Sequence, residues 1–166
     1  MKSIILLRHG KSDWAEEYGE DHDRPLNKRG EKAAALMGRF LAGVEQVPDL
    51  VITSTALRAR ETARLASEAG RWACEVKSSR SLYETTPEKT LDVIRGIDGS
   101  SDSVLLVGHE PTWSVLAGRL IGSGSLRMPT AGMVRIDTQA SQWKSIAFGS
   151  GTLIWMVTPK ILDTVG

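Results

Sequence analysis

Two of the chain's three histidines stand directly behind short apolar runs. Ile4-Ile5-Leu6-Leu7 leads into Arg8-His9-Gly10, and Val104-Leu105-Leu106-Val107 leads into Gly108-His109-Glu110-Pro111. A third run, Leu50-Val51-Ile52-Thr53, leads into Ser54 and then Arg58. Two guanidinium forks beside imidazoles suit a phosphoryl group, whose oxygens take planar, bidentate donors. A neutral, well-aimed imidazole is a competent covalent nucleophile. Arg8 and Arg58 would help keep His9 neutral, because nearby positive charge disfavours the imidazolium. The carbonyl of Gly10 could hold the Nδ1 proton and leave Nε2 free for attack. His109 would then donate to oxygens on which charge develops. At Gly10 a side chain would obstruct the backbone turn.

For these groups to meet, the runs must be neighbouring strands of one sheet. Continuous apolar runs of this length suit strands covered on both faces, as in parallel α/β sheets, where ligands sit beyond the carboxyl ends of the strands. The spacing of Ala33, Ala34, Leu36, Met37, Phe40 and Leu41 predicts a helix capped by Asn27. A second helix is expected from a Ser54 or Thr55 cap to about Glu68, ended by Gly70. A short strand follows around Cys74 to Lys77, and Ser81 to Glu84 reads as a loop. Pro87 opens a third helix carrying Leu91, Ile94 and Ile97. A fourth follows Pro111 with Val115, Leu116 and Leu120 inward, and Gly122 to Ser125 reads as a loop. The remainder reads as strands at Gly132 to Asp137, Trp143 to Phe148 and Leu153 to Thr158, stopped by Pro159. The fold class is therefore α/β, a three-layer α/β/α sandwich around a mostly parallel sheet in one domain over residues 1–166.

Composition removes other classes. With 21 basic and 20 acidic residues the formal net charge is +1, without basic runs or interleaved aromatics, so nucleic acid and acidic lipid are not expected partners. No segment is long and apolar enough to span a membrane, and the first apolar run is too short for a secretory signal. Cys74 is the only cysteine, which excludes an internal disulfide and a cysteine zinc site and suits a cytoplasmic address. Arg8 beside His9 opposes a metal at the two histidines with the Asp21 to Asp23 cluster, since a fixed positive charge repels a cation. His22 reads as solvated or structural, Arg24 as either a site residue or a partner of Asp21 or Asp23, and Arg60 and Arg64 as a charged helix face. The five tryptophans read as core and rim packing.

The ordered set resembles the histidine phosphatase superfamily, whose fold is called phosphoglycerate mutase-like. Arg8-His9-Gly10 is similar to its first signature, Ser54-Thr55-Ala56-Leu57-Arg58-Ala59-Arg60-Glu61-Thr62-Ala63 to its second-arginine motif, and Gly108-His109 to its second histidine. Four longer stretches resemble the SixA-like phosphohistidine phosphatases: Leu7 to Trp14, Asp21 to Gly30, Leu82-Tyr83-Glu84, and Gly108-His109-Glu110-Pro111. The resemblance implies catalysis by His9, Arg8, Arg58 and His109, with Glu84 where many members place a proton donor. It also implies substrate contacts within the first motifs, at Gly10, Ser12, Arg24 and Asn27, and no metal or organic cofactor. His9 would become phosphohistidine during turnover, and water would release phosphate.

Ala15 follows Trp14 where mutase-like and broad-specificity members often carry asparagine, which weakens a sugar-phosphate reading. Short connections leave no room for an inserted cap, and an uncovered pocket suits a phosphohistidine carried on another protein. A small phosphomonoesterase of the same fold remains the alternative. Outside catalysis, the alternative is a phosphohistidine-binding module without turnover. A nucleotide-binding domain lacks its glycine-rich fingerprint after the first strand.

Overall fold

Alternation along the first strand sets up two cores. In β1 (Lys2–Arg8), Ile4 and Leu6 face one side of the sheet and Ile5 and Leu7 the other, all buried. Removing such side chains from water stabilises the fold by about 1.5–3 kcal/mol each. The computed structural model describes residues 1–15 and 17–165. In chain order β1 is followed by α1 (Lys28–Gly43), β2 (Leu50–Ser54), α2 (Leu57–Gly70), β3 (Glu75–Ser79) and α3 (Pro87–Arg95). Then come β4 (Ser103–Gly108), α4 (Thr112–Leu120), β5 (Met133–Thr138), β6 (Gly151–Val157) and α5 (Pro159–Val165).

The sheet runs β3-β2-β4-β1-β5-β6. The pairs β3–β2, β2–β4 and β4–β1 are parallel, while β5 runs antiparallel to both neighbours. The expected mostly parallel sandwich is the observed one. Leu91 and Ile94 of α3 and Trp113, Leu116 and Leu120 of α4 cover the Ile4–Leu6 face. Met37 and Leu41 of α1 and Ala59, Ala63 and Ala66 of α2 cover the Ile5–Leu7 face. At the α1–α2 crossing a Cβ on Gly38 would collide with the Ala66 carbonyl, so only glycine allows this approach. No helix among the described residues is long and apolar enough to cross a membrane.

Local chemistry sets the helix starts. The Asn27 side chain accepts from the Gly30 N–H at 2.8 Å, and Thr86 caps α3 ahead of Pro87. Neither Ser54 nor Thr55 caps α2, which begins after Ala56 without a side-chain cap. Ser54 instead closes β2, and its hydroxyl is turned toward His109.

Three further expectations are corrected. Trp143 to Phe148 is not a strand: Trp143–Ser145 forms one 3-10 turn, which buries Trp143 and Ile146 at i, i+3 spacing. Val115 is exposed, because the inward stripe of α4 is Trp113, Leu116, Ala117 and Leu120. Pro159 does stop β6, but it also opens α5, since proline suits the first turn of a helix.

Candidate active site

Strand register brings the chemistry together. Arg8 pairs with Gly108 across β1 and β4, and Thr53 with Val107 across β2 and β4. The residues that follow, His9, His109 and Ser54, therefore leave three adjacent parallel strands at one edge. The ladder continues into the nucleophile candidate itself. The His9 N–H donates to the Gly108 carbonyl at 3.0 Å, and the His9 carbonyl accepts from the Ala131 N–H at 3.0 Å. The Gly10 N–H donates to the Thr62 hydroxyl at 3.0 Å, and that hydroxyl donates to the Arg58 carbonyl at 2.7 Å. Behind the loop, a Cβ on Gly10 would lie 2.7 Å from the Gly30 carbonyl oxygen. Close packing against α1, rather than an unusual turn, is the constraint there.

His9 is buried, and its Nδ1 lies 2.6 Å from the Gly10 carbonyl oxygen. A carbonyl can only accept, so Nδ1 carries the proton and Nε2 presents its lone pair. Burial lowers the His9 pKa to about 3, and His109, Arg58 and Arg8 push the same way against the Gly10 hydrogen bond. The His109 ring lies 5.2 Å from that of His9, and its Nε2 is 2.8 Å from the Ser54 hydroxyl. Its pKa is lowered to about 4 by burial first and then by Arg58. Both rings are therefore neutral near pH 7.

Arg24 and Arg58 are buried, Arg8 is half-buried, and all three are held from behind. Arg8 donates to the Met128 carbonyl at 3.0 Å. Arg58 donates through Nη1 to the Asp21 carbonyl at 2.8 Å and through Nη2 to its carboxylate at 3.1 Å. Arg24 donates to the Ser12 hydroxyl and to the Asp21 carboxylate, the latter at 2.9 Å. Both readings of Arg24 thus meet in one residue, which pairs with Asp21 and lies with the site. Its guanidinium also sits 3.6 Å from the centre of the Trp14 ring, an exposed tryptophan and the exception to the packing role expected of the five. His22 bonds Thr55 at 2.9 Å and meets Tyr83 edge-on, a structural role.

Asp21, expected only as a possible partner of Arg24, is a hub. Its carboxylate joins Arg24 and Arg58 and also accepts from the Tyr83 hydroxyl at 2.8 Å. Burial opposes its ionisation, yet Arg24, Tyr83 and Arg58 hold the carboxyl well below the usual range. Burial and the Asp21 carboxylate push the Tyr83 hydroxyl up to about 12. Both residues lie inside the motifs, but their partnership is a long-range contact without a sequence spacing.

Two expected residues stand apart. Glu84 is exposed, with φ at 49°, and lines a hollow with Arg80, Thr85 and Lys89. Among the described residues no hydrogen bond ties it to the histidines. The Asn27 side-chain oxygen is committed to capping α1. Ser12 meets the site through Arg24.

One observation marks the ligand. Among the described residues, the buried side-chain nitrogens without a protein partner are Nε of Arg8, Arg24 and Arg58 and Nδ1 of His109. Nδ1 of His109 donates or accepts according to its tautomer and all four atoms are closed off from solvent, so the cluster speaks through the charge of its three guanidinium groups, which suits an anion.

The sequence profile of the histidine phosphatase superfamily (branch 1) matches residues 4–87. An uncharacterized protein of Mycobacterium leprae is 32% identical, covering 93% of this chain and all of its own length. A protein provisionally assigned as the phosphohistidine phosphatase SixA of Agrobacterium tumefaciens superposes with a TM-score of 0.79 at 29% identity, covering 95% of this chain and 98% of that one. A protein histidine phosphatase SixA solved with tungstate superposes at 0.83 over 96% of this chain and 99% of its own, and at 21% identity it supports the fold alone.

Proposed function

Because the chain belongs to the histidine phosphatase superfamily (branch 1), we propose that it is a phosphatase working through a phosphohistidine at His9. The single tautomer of His9, with Nε2 left free among the guanidinium groups of Arg8 and Arg58, carries the reading. In the first step Nε2 of His9 attacks phosphorus, the phosphorus–leaving-group bond breaks, and its electron pair departs with the leaving group. In the second step water attacks the phosphohistidine, the P–N bond breaks, and the electron pair returns to Nε2. Arg8 and Arg58 bind the phosphoryl oxygens throughout, and His109 stabilises the charge that develops. The Gly10 carbonyl keeps the nucleophile in one tautomer.

The preferred substrate is a phosphohistidine on another protein. A departing imidazole is protonated far more easily than an alkoxide, through its second ring nitrogen. That fits a site where Glu84 is exposed and tied to neither histidine, and where both histidines are neutral. Among the described residues the one helical element in the connection from β1 to α1 is a 3-10 turn, Asp21–Asp23, which supports an uncapped mouth. The likeness to SixA proteins over nearly their whole length supports the same choice.

The test is phosphate release from a phosphohistidine-bearing phosphotransfer protein beside a panel of phosphomonoesters, with wild type and His9→Ala. Release from phosphohistidine that is lost in the variant is the expected result. Faster turnover of monoesters would move the function to small metabolites, and unchanged turnover by His9→Ala would sink the mechanism.

A further inference from the structure

Beside the catalytic loop, a groove of about 1020 Å³ runs between α1 and the start of α5. Lys11, Arg29, Lys32, Arg39 and Lys160 line it, against a single carboxylate, Asp163. Among the described residues, none of these five cations is paired with a carboxylate. The chain as a whole is almost neutral, at +1, so this strip is a local concentration of charge. It adjoins the chemistry at two points. Lys11 lies two residues beyond His9, and Thr130 precedes Ala131, whose N–H holds the His9 carbonyl.

We propose that this groove receives an acidic face of the phosphorylated protein whose phosphoryl group His9 accepts. The inference rests on the phosphohistidine reading above and adds the charge of the partner. All five cations are exposed rather than converging on one buried point, which does not suit a small anion. Arg29 and Arg39 lie ten residues apart on α1, about 15 Å at the helical rise. Ala33, Leu36 and Pro129 lie among the charges and offer apolar contact, as protein surfaces do. A complementary face would speed encounter and orient the phosphohistidine toward the site.

The experiment compares two synthetic phosphohistidine peptides, one flanked by a run of glutamates and one by a run of lysines. Wild type and the double variant Lys32→Glu/Arg39→Glu are assayed on both, and on phosphoimidazole as a substrate without flanks. Wild type should show a KM about tenfold or more lower for the glutamate peptide at low salt, a preference that collapses near ~0.5 M salt. In the double variant the preference should vanish while turnover of phosphoimidazole is unchanged. A preference that survives in the variant, or no preference in wild type, overturns the proposal.

Anisotropy with labelled, unphosphorylated versions of the same peptides reads the surface without any turnover. Glutamate-peptide binding lost in the variant would support the groove even if phosphohistidine proved not to be the substrate. Tighter binding of a labelled single-stranded oligonucleotide than of the glutamate peptide would overturn it.

Discussion

A buried neutral imidazole has a thermodynamic signature that can be isolated. His9 titrates near 3 in the folded protein against an ordinary value of 6.5. Below about pH 6.5 the unfolded chain binds a proton at this position and the folded chain does not. Stability is therefore lost as pH falls from about 6.5 toward about 3, and the loss is flat on either side of that window. At about pH 5 the deficit is 1.5 pH units below 6.5, which at about 1.4 kcal/mol per unit is about 2 kcal/mol. Carboxylates titrate in the same range, so His9→Gln serves as the reference: its amide can still donate to the Gly10 carbonyl but cannot charge. Urea unfolding in phosphate-free buffer, at about pH 7.5 and about pH 5, gives the four free energies required. Wild type should lose about 2 kcal/mol more than His9→Gln over that interval. Equal losses would mean that His9 charges in the folded protein near its ordinary pKa, and the argument for a neutral nucleophile would fall with it.

Other expectations follow from the same geometry. Arg58→Ala should lower kcat/KM by about 10²–10³, with Arg58→Lys recovering only part because an ammonium lacks the fork; a loss below about tenfold would remove Arg58 from the phosphoryl group. Asp21→Asn should bring the Tyr83 hydroxyl down from about 12 toward its ordinary value, which absorbance titration can follow because the chain has only two tyrosines. The same variant should bind orthovanadate several-fold more tightly, since a carboxylate no longer competes for Arg24 and Arg58; weaker binding would make Asp21 a positioning residue that the arginines require. Gly30→Ala would place a Cβ against the Lys11 backbone, and thermal unfolding should show a loss of about 1–3 kcal/mol with a fall in kcat.

What could be seen in the sequence was what repeats locally. Ile4 to Leu7 and Val104 to Val107 announced buried parallel strands, and the groups behind them needed only that the strands be neighbours. Asn27 and Pro87 announced helix starts because capping is a contact across three residues or fewer. Trp143 to Phe148 misled because its apolar residues are few enough to fit either period, and the buried pair spaced at three decides for a turn. Val115 misled in the same way, lying one step off the stripe that begins at Trp113. Asp21 was legible as a partner of Arg24, three residues on, but not as a partner of anything farther away. Its partners Arg58 and Tyr83 lie 37 and 62 residues away, and no local pattern encodes such a meeting.

The nucleophile's backbone is held by the sheet ladder, whereas Asp21, Arg24 and Trp14 belong to the connection between β1 and α1. The carboxylate that holds Arg24 and Arg58 thus comes from outside the framework that aims the imidazole. A change at Asp21 can loosen or tighten the guanidinium groups while the backbone of His9 stays pinned by Gly108 and Ala131. Aim and charge are two separately adjustable settings of one site.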